Sequence, residues 1–139
     1  MHAVSEKYLI EEADQKPEEY FEVQFLNELK QLKEKDENLI LDTDLVQKMR
    51  SQGITLAPQI IPSLEEHFGD YEVFSVEEKL YEPINAEDFK FKGFIDVVLK
   101  KDDTYHILDW KTCSWGWDQK KKRDRLVTYQ LTLYKHFFA

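Results

Sequence analysis

The sequence predicts an α/β fold, with helices across the first half, three strands in succession, and a closing helix. Three observations carry this reading. The runs Phe91–Leu99 and Tyr105–Thr112 are rich in apolar, aromatic and β-branched residues, and Lys100 to Thr104 between them is polar and charged, as a hairpin loop should be. A third strand-like run, Tyr71–Tyr81, precedes them and is ended by Pro83 and Asn85. Elsewhere apolar residues recur at three- and four-residue spacing, the period of a half-buried helix.

Residues 2–13 read as a first helix, with His2, Glu6, Leu9 and Ala13 near one face. Pro17 is placed where a first-turn proline is tolerated, and it opens a second helix to about Lys35. Its apolar stripe is Phe21, Phe25, Leu29 and Leu32. Asp42 or Thr43 caps a short helix through Met49, which Gly53 is expected to break. Pro58 to Phe68 reads as helical, packing Ile60, Ile61, Leu64 and Phe68, with Gly69 as its stop and His67 a surface or helix-end residue. After the strands, Lys120-Lys121-Lys122-Arg123-Asp124-Arg125 starts the last helix, whose stripe includes Val127, Leu131, Tyr134 and Phe138.

The chemistry concentrates on the second and third strands. Strand alternation points Asp109 and Lys111 to the same face as Ile107, and Asp96 to the face of Phe94 and Val98. In an antiparallel pair Asp96 can lie across from Asp109, depending on register. Two carboxylates and an ammonium then share a small volume among apolar side chains, where uncompensated charge is costly. A divalent metal is the simplest compensation. Glu77 and Glu78 are adjacent and so face opposite ways; Glu78 either joins this cluster from the first strand or is an ordinary paired or exposed glutamate. Two readings also stand for Trp115 and Trp117, which flank Gly116: stacking on nucleotide bases, or covering the core beneath their loop.

Composition bounds the rest. The 139 residues suit a single domain, and 42% hydrophobic with 14% aromatic content argues against disorder despite 34% charged residues. No apolar run is long enough to span a membrane and no basic-then-apolar leader is read. A lone cysteine, Cys113, excludes an internal disulfide, fits a reducing cytoplasmic compartment, and argues against a four-cysteine iron–sulfur cluster. Net charge is −9. Residues 1–89 hold 8 basic and 22 acidic side chains, a balance of −14, whereas residues 90–139 hold 11 and 6, or +5. The acidic total therefore does not exclude a nucleic-acid partner for the half that carries the candidate site.

In order along the chain stand Gly93-x-x-Asp96, Asp109-x-Lys111-Thr112, and Gln130-x-x-x-Tyr134 on the following helix. Together with His2-x-x-x-Glu6 upstream, this set resembles the RecB-type branch of the PD-(D/E)XK nuclease superfamily. Asp-x-Lys alone is a weak signal; the ordered set on suitable elements is much stronger. The resemblance implies a restriction-endonuclease-like α/β core, a central mixed sheet containing the three-strand meander and flanked by helices, over residues 1–139. It implies a Mg²⁺- or Mn²⁺-dependent deoxyribonuclease, more exonuclease than endonuclease, acting in recombination, repair, or phage or mobile-element DNA processing. Asp96 and Asp109 would be metal ligands, with His2 a third and the Trp110 carbonyl a fourth. Lys111 would act on the attacking water, and Gln130 and Tyr134 would contact DNA or support the site. Glu6 and Glu78 are accessory candidates. Lys120, Lys121, Lys122, Arg123 and Arg125 are candidate phosphate contacts on single- or double-stranded DNA. The family's usual elements before the histidine and after the last helix have no counterpart in this sequence.

Two other readings fit the same residues. One is a non-catalytic DNA-binding or accessory module of a larger recombination complex. The other is an acidic interaction protein in which Asp109 and Lys111 form a structural ion pair. The sequence does not indicate an oligomeric state.

Overall fold

The computed structural model describes residues 1–10, 14–84, 88–112 and 118–139. Two compact units divide the chain, Met1–Gly69 and Asp70–Ala139. Helices make up the first, and a three-stranded antiparallel sheet with helices makes up the second, the α/β composition that the sequence predicts. No helix among the described residues is long and apolar enough to cross a membrane.

The first unit contains α1 (His2–Ile10), α2 (Pro17–Lys35), α3 (Thr43–Leu56), a 3-10 turn at Ala57–Gln59, and α4 (Ile60–Phe68). Pro17 does open α2, where its missing N–H is not needed. Asp42 caps α3 by accepting from the Leu45 N–H at 3.1 Å. The helix does not stop at Gly53 as expected; it runs on to Leu56. The glycine is buried, and a Cβ there would overlap the Phe21 ring of α2. Close approach of two helices, not chain breaking, explains the residue. Arg50 of α3 pairs with Glu22 of α2 across the same contact. Gly69 ends α4 at φ 68, a backbone that L side chains seldom adopt.

In the second unit β1 (Glu72–Pro83), β2 (Lys90–Lys101) and β3 (Thr104–Leu108) form a meander in the order β1-β2-β3, and both pairings are antiparallel. Asp102, at φ 52, lets a two-residue loop join Lys101 to its partner Thr104, a tighter connection than the sequence suggested. Val97, Val98 and Leu99 are all buried, so both faces of β2 are covered there. Leu80, Ile95, Val98 and Tyr134 form a core cluster with Phe91, Ile107, Phe137 and Phe138 packed against it. The Phe91 and Phe137 rings stack at 4.4 Å.

The basic run does not start the last helix. It forms a separate turn, α5 (Gln119–Lys122), followed by α6 (Arg125–Phe138). Each has its own aspartate cap: Asp118 accepts from the Lys121 N–H and Asp124 from the Leu126 N–H. The chain between them does not continue as one helix because Asp124 holds an extended conformation, ψ 122.

Candidate active site

The β2–β3 register pairs Val97 with Leu108 and Val98 with Ile107. Continued by one step, it would set Asp96 opposite Asp109, but β3 ends at Leu108. Asp109 and Lys111 are thus not strand residues, contrary to the expectation that β3 reached Thr112. The cause is visible at the next position. The Trp110 N–H, instead of continuing a ladder, donates to the Asp96 carboxylate at 2.7 Å. A charged acceptor makes a stronger hydrogen bond than a carbonyl, so the side chain of β2 captures the backbone leaving β3.

Past this point the chain curls so that Lys111 meets Asp109 without any shared strand face. Lys111 Nζ lies 2.6 Å from Asp109 Oδ2. The Asp109 side chain is only 8% exposed, whereas that of Lys111 is 37% exposed. A carboxylate so buried would carry a desolvation cost of several kcal/mol if unpaired, and the lysine offsets it. The lysine side chain stays partly open to solvent.

Lys111 also donates to Gln130 Oε1 at 3.1 Å, and Gln130 Nε2 donates to the Tyr134 hydroxyl oxygen at 3.1 Å. An ammonium can only donate, so the amide oxygen must face it and the amide nitrogen must face the phenol. Spacing of four residues on α6 makes this handover feasible. Two of the three ammonium hydrogens are therefore directed by Asp109 and Gln130. Gly93 supports the far end of the chain: a Cβ there would stand 2.8 Å from Tyr134 Cε1, so the phenol ring reaches its place only over a glycine. Sequence reasoning named Gly93 as part of a motif without this role; a glycine inside a strand was the available signal.

Asp96, Asp109, Lys111, Gln130 and Tyr134 thus fall in one connected arrangement through the Trp110 backbone. His2 and Glu6 sit one turn apart on α1 in the first unit, both exposed. Glu78 pairs with Ile95, the neighbour of Asp96, and Glu77 beside it takes φ 50. Lys120, Lys122, Arg123 and Arg125 are exposed and Lys121 is half-buried. Cys113, Trp115 and Trp117 lie outside the described residues.

Among the described residues no group of three or more histidine, cysteine or acidic side chains is gathered in a way that would hold a metal ion. Within the second unit the donors present are still of the right kind. Hard divalent cations take oxygen ligands, and Mg²⁺ typically uses one or two carboxylates, completing its shell with water and substrate phosphate. Asp96 and Asp109 are two carboxylates of the kind such an ion takes, the first accepting from the Trp110 N–H and the second paired with Lys111.

A family model of the PD-(D/E)XK nuclease superfamily matches residues 1–139. The chain belongs to this superfamily, whose members are generally phosphodiester-hydrolysing nucleases that use divalent metals. No curated protein and no solved structure matches the chain.

Proposed function

We propose that this chain is a Mg²⁺- or Mn²⁺-dependent deoxyribonuclease of the RecB type, acting as an exonuclease in DNA recombination, repair or mobile-element processing. The observation that carries the reading is the chain of contacts from the buried Asp109 carboxylate through Lys111 and Gln130 to Tyr134, beside Asp96. Offsetting the buried carboxylate accounts for the Asp109–Lys111 pair itself, but gives no reason for Gln130 and Tyr134 to direct the ammonium further.

In this mechanism Asp96 and Asp109 would hold the cation, with the Trp110 carbonyl as a further oxygen donor; the resemblance alone would add His2, a residue of the first unit, as a nitrogen donor. When bound, the cation neutralises charge that builds on the scissile phosphate. Lys111 holds its remaining N–H toward the phosphate or the incoming water, stabilising the developing oxyanion. Gln130 fixes the lysine's direction, and Tyr134 fixes the amide of Gln130. Lys120, Lys121, Lys122, Arg123 and Arg125 would contact phosphates farther along the strand, and Trp115 and Trp117 would stack on bases.

The test separates charge from architecture. Lys111→Gln keeps a donor for Asp109 but removes the positive charge. Cleavage of labelled linear DNA in Mn²⁺ should fall about 10²–10⁴-fold, while Mn²⁺ binding by calorimetry persists. Asp109→Ala should lose both cleavage and cation binding. Cleavage within a few-fold of the parent in both variants would overturn the assignment, and comparison with circular DNA distinguishes exonuclease from endonuclease.

A further inference from the structure

The first half of β2 alternates strictly. Phe91 and Gly93 are half-buried and Ile95 is buried, while Lys90, Lys92 and Phe94 are exposed. The register sets Lys79 of β1 opposite Phe94, and Tyr81 opposite Lys92. One face of the β1–β2 ribbon therefore carries Lys79, Tyr81, Lys90, Lys92 and Phe94 side by side. Tyr81 is 54% exposed and Phe94 45% exposed. Lysine ammoniums drape over both rings: Lys79 and Lys90 lie 5.6 and 4.8 Å from the Tyr81 centroid, and Lys92 lies 5.8 Å from that of Phe94.

Cross-strand lysine–aromatic pairs can serve the sheet alone, and such contacts are individually modest. Two features exceed that role. Two ammoniums crowd a single ring, so each opposes the other unless an anion enters. None of the three lysines pairs with a carboxylate among the described residues, although the chain holds 28 acidic side chains against 19 basic ones. Exposed flat rings interleaved with such ammoniums at strand spacing match a nucleotide chain whose bases are unpaired, with a base for each ring and a phosphate for each cation. The same alternation along β2 then arrives at Asp96.

We propose that this ribbon face binds single-stranded DNA and leads it toward the candidate site. Tyr81 and Phe94 stack on bases, and Lys79, Lys90 and Lys92 contact phosphates. Paired bases hide their faces within the duplex, so the surface selects unpaired ends. The direction toward Asp96 rests on the nuclease reading; the binding itself does not.

Fluorescence anisotropy of the full chain with a labelled oligothymidine, and with a blunt duplex of equal length, tests this in EDTA, where no cleavage intervenes. The parent should bind the single strand more tightly. Tyr81→Ala and Phe94→Ala should each weaken that binding by about fivefold or more and leave duplex binding unchanged, while Tyr81→Trp retains it. Lys90→Gln with Lys92→Gln should flatten the slope of log affinity against log salt by about 0.7 per lysine. All these positions are exposed, and an unchanged melting curve identifies folded variants. A parent that prefers duplex, or folded alanine variants that bind the single strand as the parent does, would overturn the proposal. If single-strand binding follows the variants as stated but the parent never cleaves in Mn²⁺, the ribbon assignment stands and the nuclease reading falls.

Discussion

Gly93 and Tyr134 are coupled at the scale of single residues. A Cβ at 93 would approach the tyrosine ring to 2.8 Å, closer than real Cβ atoms come to their neighbours. Gly93→Ala should move the ring, and with it the Gln130 amide that directs Lys111. We expect about 1–3 kcal/mol of destabilisation by chemical denaturation, typical of overpacking, and a drop in cleavage larger than the unfolded fraction accounts for. Restoring room with Tyr134→Leu should recover stability without recovering activity. The types and order of Asp96, Asp109, Lys111, Gln130 and Tyr134 single them out as candidates in the sequence, and the structure links them by contacts. Their connections were not legible in the sequence. Lys111 reaches Gln130 across 19 residues of chain, and Trp110 donates its backbone N–H to Asp96, contacts that no local spacing encodes.

Elements were legible where local signals agreed with packing, as at Pro17, Asp42 and Gly69. They were misread where packing overrode local preference. Gly53 shows this most clearly: intrinsic propensity disfavours glycine inside a helix by about 1 kcal/mol relative to alanine, yet α3 retains it against Phe21. Gly53→Ala should therefore destabilise the protein by about 1–3 kcal/mol, the reverse of the usual helical effect, read as a lower midpoint in thermal unfolding by circular dichroism. The end of β3 at Leu108 was illegible for a related reason, since a side chain on the neighbouring strand decides it. The split of the basic run into α5 and α6 was readable in principle from Asp118 and Asp124, two capping residues set six positions apart.

Across the whole molecule the charge is unevenly spread, with residues 90–139 at +5 in a chain of −9. Lys120, Lys121 and Lys122 fall in α5, a single turn of four residues whose first and last turns coincide, so the helix dipole gives their position no stability reason. Phosphate binding is a separate property and is tested separately. Replacing the three lysines with alanine should reduce the salt slope of duplex DNA binding by about 0.7–0.9 for each phosphate no longer neutralised, with Mn²⁺ affinity unchanged. An unaltered slope would return the run to a solvated surface. The family match spans both units, and the interactions that direct Lys111 are made by residues of Asp70–Ala139.

The glycine beneath Tyr134 has a consequence for descent. Position 93 and position 134 do not drift independently: a lineage that acquires any side chain at 93 must already have exchanged the tyrosine for something slimmer, or give up the fold's fit in the same step. Because the slimmer residue also forfeits the phenol that steadies Gln130, either order of exchange passes through a poorer intermediate, one that loses the fit or one that loses the phenol. Among relatives of this chain the two positions should therefore be inherited as a pair, glycine with tyrosine, and sequences that break the pair should be those that have also given up the lysine.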